Sequence, residues 1–142
     1  MQSLLTETSQ RANRYLAALP ERNVAPTAAA VQQLQKFDEP LPDQPSDPLE
    51  VLELLDHYGS PATTATAGPR YFGFVTGGSL PAALAANWLA SAWDNNSGLS
   101  IMSPTTARLE EIALRWLVEL HGLTASTGGG FVTGATKANY TA

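Results

Sequence analysis

The chain has 142 residues, 44% hydrophobic and 15% charged, enough for one domain or part of one and too apolar for disorder. Eight Lys plus Arg against thirteen Asp plus Glu give a net charge of −5, which leaves no electrostatic footprint for a nucleic-acid backbone. The absence of cysteine removes disulfides, thiolate metal sites and cysteine nucleophiles, and with only His57 and His121 as imidazoles no metal site is expected.

The start, MQSLLTETSQRANRYL, lacks the basic opening and unbroken apolar core of a signal peptide. No apolar run approaches the roughly 20 residues that cross a bilayer. The expectation is a cytoplasmic protein without a membrane or nucleic-acid partner.

Leu4, Leu5, Ala12, Tyr15, Leu16 and Leu19 fall near a 3.6-residue period that stops at Pro20, predicting an amphipathic first helix. A weaker second one starts from Thr27 as a cap and runs through Val31 and Leu34 to about Phe37. Pro40, Pro42, Pro45 and Pro48 then make a spacer with too few free N–H groups for a helix or a central strand. Asp47 caps a third helix with Pro48 at its first position and Glu50 closing a capping box, and Leu49, Leu52 and Leu55 form its apolar stripe. This helix is expected to end around Tyr58-Gly59, and Ser60 to Gly68 reads as loop.

After Pro69 the run Arg70-Tyr71-Phe72-Gly73-Phe74-Val75-Thr76-Gly77-Gly78 is dense in aromatics beside glycine, as either core packing or a pocket wall would be. A fourth helix from Ser79 to about Trp93 is rich in alanine, so another backbone can approach it closely. Ser103-Pro104 caps a fifth, whose Leu109, Ile112, Ala113, Trp116, Leu117 and Leu120 line one face opposite Arg108, Glu111 and Arg115, and Gly122 ends it. Phe131-Val132-Thr133 reads as a short strand, and Gly134 onward as the first turns of a helix with no closing signal. A single strand has no partner to satisfy its backbone, so the chain is expected to be the N-terminal part of a longer protein.

The same stretch has the ingredients of an anion site: a glycine, small residues, a hydroxyl and a helix N-terminus with free N–H groups. An ordinary turn in which Gly134 gives backbone freedom and Thr136 caps the helix accounts for it equally. A P-loop is excluded because Ala135, not Lys, follows Gly134, and the dinucleotide fingerprint is excluded because Thr133 stands where its third glycine would be. His57 and His121 sit at helix C-termini, where the dipole favours them. Neither Lys36 nor Lys137 lies in an apolar setting suited to Schiff-base chemistry.

Three stretches, in order and spacing, resemble one family. Pro69-Arg70-Tyr71-Phe72-Gly73-Phe74, then Ser103-Pro104 with Leu109-Glu110 and Trp116-Leu117, then Gly129-Gly130-Phe131-Val132-Thr133-Gly134-Ala135-Thr136-Lys137-Ala138-Asn139 look like the pyridoxal phosphate-dependent group II amino-acid decarboxylases, which include the aromatic-amino-acid and glutamate decarboxylases. The family usually has His before the Pro-Arg-Phe-Phe-Gly run, where Gly68 stands here.

The resemblance implies the α/β fold of fold type I, the aspartate aminotransferase-like enzymes, of which this chain would be a mostly helical N-terminal fragment. Residues 1–60 would be a helical arm and residues 61–142 the start of the cofactor domain of a homodimer. It implies pyridoxal 5'-phosphate as cofactor, with Ala135 and Thr136 holding its phosphate, and an L-amino acid as substrate. Phe74, Val75 and Thr76 would line the substrate pocket, and the Asn96 to Leu99 loop would enter the pocket of the partner subunit. The uncharged Tyr71 to Thr76 run leans toward an aromatic or bulky substrate. The family's Schiff-base lysine lies downstream of the phosphate turn and is not Lys137, so no catalytic residue is assigned and the chain alone is expected to be inert. The alternatives are a non-catalytic helical interaction module, or another fold type I enzyme such as an aminotransferase.

Overall fold

Helices form where caps and periodicity place them. The computed structural model of the chain describes residues 1–141, in the order α1 (Gln2–Ala18), α2 (Ala28–Gln33), α3 (Pro48–Leu54), α4 (Pro81–Trp93), α5 (Pro104–Leu120) and α6 (Ala135–Thr141). Contacts group them into two units, Met1–Leu80 and Pro81–Ala142.

In Met1–Leu80, α1 ends as Leu19 N–H bonds to Leu16 C=O at 3.3 Å, just before Pro20. Thr27 caps α2, its Oγ1 accepting from Ala30 N–H at 3.2 Å, and a 3₁₀ turn over Leu34–Phe37 carries the helix to its expected end. Asp47 caps α3 through Leu49 N–H at 2.7 Å, one residue earlier than a capping box requires. The helical path continues past α3 as a π turn over Leu55–Gly59 and a 3₁₀ turn over Ser60–Ala62, so the expected loop begins three residues late. His57 lies in the π turn, edge-on to Tyr58 with ring centroids 4.6 Å apart.

Polar links tie α1 to this turn. Arg11 donates to Asp56 Oδ2 at 2.9 Å and pairs with Glu7 at 3.2 Å, and Arg14 reaches the same Asp56 oxygen at 3.8 Å. The hydrogen bond that Arg11 donates to Asp56 raises the Arg11 pKa above its ordinary value, against an opposing desolvation. Further along, Tyr15 Oη lies 2.9 Å from Thr63 Oγ1, and the Arg22 guanidinium sits 4.8 Å over the Tyr15 ring while donating to Ser60 C=O. The small core holds the buried Leu19 and Ala65. It also explains Gly68: a Cβ there would stand 3.1 Å from the Ala65 carbonyl oxygen and 3.4 Å from that of Leu19.

In Pro81–Ala142, α5 closes with a Schellman motif: Leu123 N–H bonds to Val118 C=O and Gly122 N–H to Glu119 C=O, both at 3.0 Å, with Gly122 at φ +64°. Ser103 precedes α5 as expected but does not cap it. Its hydroxyl is turned to Asn95 Oδ1, at 3.3 Å, and to Thr106 Oγ1.

One expectation fails here. Phe131–Thr133 forms no strand, and the described residues contain no strand at all, because no second extended segment pairs with it. The α5 stripe is uncovered: Ile112 and Ala113 are half-buried, while Leu109, Trp116, Leu117 and Leu120 are exposed. Leu84 of α4 is half-buried, and the alanines of that helix are exposed.

Candidate functional site

The residues expected to bind cofactor and substrate fall in three local settings. The first is the start of α6. Ala138 N–H makes the first intrahelical bond, to Gly134 C=O at 3.0 Å, so the N–H groups of Ala135, Thr136 and Lys137 come before the ladder. A Cβ placed on Gly128, Gly130 or Gly134 would meet nothing within 4 Å, so the approach to this turn is open. Backbone donors, the Thr136 hydroxyl and the Lys137 charge together suit a phosphate. Gly134 to Lys137 themselves carry no aromatic or carboxylate side chain that would grip a pyridine ring.

The second setting is the aromatic run. Phe74 and Val75 both lie in the left-handed region, at φ +54° and +55°, and Thr76 N–H bonds to Gly73 C=O at 3.2 Å. The Tyr71 ring folds back over Gly73, its hydroxyl 3.1 Å from where a Cβ would be. Phe74 and Val75 are 94% and 105% exposed, so the run forms a tight bend that projects apolar side chains rather than a closed wall. A β-branched residue at positive φ is strained. Val75→Gly is therefore expected to stabilise Met1–Leu80 by about 1 kcal/mol, the relief of strain exceeding the added freedom of the unfolded chain. A higher urea midpoint, followed by circular dichroism, checks this.

The third is the loop after α4. Asp94 takes φ +49° and its N–H still bonds to Ala90 C=O at 3.1 Å, turning the chain out of the helix. Asn96 Oδ1 accepts from Gly98 N–H at 2.9 Å in an Asx turn, which directs its side chain back to its own loop. The neighbouring Asn95 holds this loop: its Nδ2 donates to Trp93 C=O at 2.8 Å and its Oδ1 accepts from Ser103. Asn95 was not singled out by sequence, although Asn-Asn-Ser-Gly is a turn signal that could have found it.

The six residues are thus local features, and none of them lines any of three hollows. One hollow of 210 Å³ lies beside Arg22 and Pro61, one of 620 Å³ along α5 between Leu114 and Leu123, and one of 320 Å³ at Trp93, Asn95 and Thr105. Among the described residues no cluster of His, Asp and Glu could hold a metal ion, and no helix is long and apolar enough to cross a membrane.

No family model matches the chain. It is similar to an aromatic-L-amino-acid decarboxylase of Bacillus atrophaeus, 30% identical over 107 residues. The matched stretch is 75% of this chain and 22% of that relative. The chain spans about a fifth of the length of the protein it matches.

Proposed function

We propose that this chain is part of a pyridoxal phosphate-dependent enzyme of fold type I that removes the α-carboxylate of an L-amino acid. The observation that carries the reading is the 30% identity over 107 residues to a protein named for that reaction. The open turn before α6 supports it independently, since its donors match the cofactor's phosphate.

In this reading residues 1–60 are an arm and residues 61–142 open the cofactor domain. Ala135 and Thr136 bind the phosphate through backbone N–H groups and the hydroxyl, and Lys137 adds positive charge beside them. When bound, the cofactor supplies the electron sink for the carbanion that remains after carbon dioxide leaves. Phe74 and Val75 offer apolar surface to the substrate side chain, with Thr76 at the edge. This favours an aromatic or other bulky amino acid. The reading carries with it a homodimer in the cytoplasm, with Asn96 contributed to the partner's substrate pocket.

The test uses the full-length protein with carboxyl-labelled L-tryptophan, L-tyrosine, L-DOPA and L-glutamate. Release of labelled carbon dioxide with one equivalent of amine, dependent on added pyridoxal phosphate, is the expected result. Formation of a keto acid without carbon dioxide would replace the decarboxylase by an aminotransferase. Absence of cofactor binding would overturn the whole reading.

A further inference from the structure

Helix α1 is joined to the rest of its unit mostly by charge. Its apolar residues do little: Leu5 and Leu16 are 59% and 37% exposed, Leu4 and Ala12 are half-buried, and only Leu19, past the helix end, is buried. The bonds that reach across are Arg11 and Arg14 to Asp56 and Tyr15 to Thr63, with Arg22 to Ser60 and Thr63 just beyond. Asp56 is shared by two guanidiniums and is 29% exposed, so water and ions reach it. One buried N–H, Arg11 Nε, finds no acceptor when the helix is docked. That group regains water when the helix lifts, which weakens the docked state.

We propose that α1 is a detachable arm, strapped to the turn after α3 by Asp56 and released by ionic strength. Asp56 sits on the π turn, whose wider spacing sets the carboxylate between Arg11 and Arg14. Apolar docking strengthens with added salt, whereas exposed ion pairs weaken as the screening length shortens. The strap also reaches the aromatic run. Arg70, which opens that run, donates to the carbonyl of Arg22 at 2.5 Å, and Arg22 is itself held by Ser60 and Thr63. The arm touches this link through the Tyr15 ring, 4.8 Å beneath the Arg22 guanidinium.

Hydrogen exchange of the full chain, read by mass spectrometry at about 0.1 M and about 1 M sodium chloride, spans screening lengths of roughly 10 to 3 Å. Exchange in Gln2–Ala18 is expected to quicken about tenfold at high salt while Pro104–Leu120 is unchanged. Asp56→Asn is expected to show the fast exchange already at low salt. The charge swap Arg11→Asp with Asp56→Arg is expected to restore protection, and Ala28–Gln33, in the same unit, reports in the same spectra that the variants remain folded. Equal protection of α1 at both salt concentrations would overturn the proposal, as would Asp56→Asn that keeps the wild-type salt response.

Discussion

Thr136→Ala is expected to weaken pyridoxal phosphate binding by the full-length protein roughly 10- to 100-fold. A hydrogen bond to a charged partner contributes about 1.5–3 kcal/mol, and each 1.4 kcal/mol is about a factor of ten in affinity. The substitution leaves folding nearly untouched, since Ala is a better helix former than Thr and the side chain is exposed at the second residue of α6. Thr136→Ser keeps the hydroxyl and should bind close to the wild type. Titration followed by the cofactor's absorbance checks the series. Equal affinity in all three proteins would show that the phosphate is held elsewhere, whatever reaction the enzyme performs.

Replacement of Gly122 should produce the largest loss of stability in Pro81–Ala142. At φ +64° the residue holds the Schellman closure of α5, and nothing lies within 4 Å of an added Cβ, so the penalty is one of backbone conformation alone. Gly122→Ala is expected to cost about 1–2 kcal/mol, a factor of roughly 5–30 in the folded to unfolded ratio. Gly122→Asn should cost less, because Asn tolerates the left-handed region, and Gly122→Val more, because its branched Cβ does not. Urea denaturation of the graded set checks the order Gly, Asn, Ala, Val. A flat series would mean that α5 ends without this motif in solution.

Local signals made most of the helices legible. Pro20, Thr27, Asp47-Pro48 and Pro104 fixed helix ends within a few residues, since a missing N–H or a capping oxygen acts within one turn. Features that depend on distant partners were not legible. Arg11 and Asp56 are 45 residues apart, and nothing in either neighbourhood announces the pairing. The π turn at Leu55–Gly59 likewise has no residue that demands it. Phe131–Thr133 carries strand-forming residues, yet strand propensity is expressed only against a neighbour and none is present among the described residues.

The candidate site divides in the same way. The turn at Gly134 to Lys137 was readable because a glycine, small residues and a helix start are local chemistry. The bend at Phe74 and Val75 was not, because an aromatic and a β-branched residue are the types least expected at positive φ. Ser103 carried a capping signal that the fold spends instead on Asn95 and Thr106.

All three tryptophans, Trp88, Trp93 and Trp116, belong to Pro81–Ala142, and Met1–Leu80 has none. They are 42%, 52% and 64% exposed, so their emission belongs at the red, water-relaxed end of the indole range. Excitation above the tyrosine band therefore observes one unit and is blind to the other. Any surface that comes to rest on α4 or α5 will announce itself as a blue shift, with no label added to the protein.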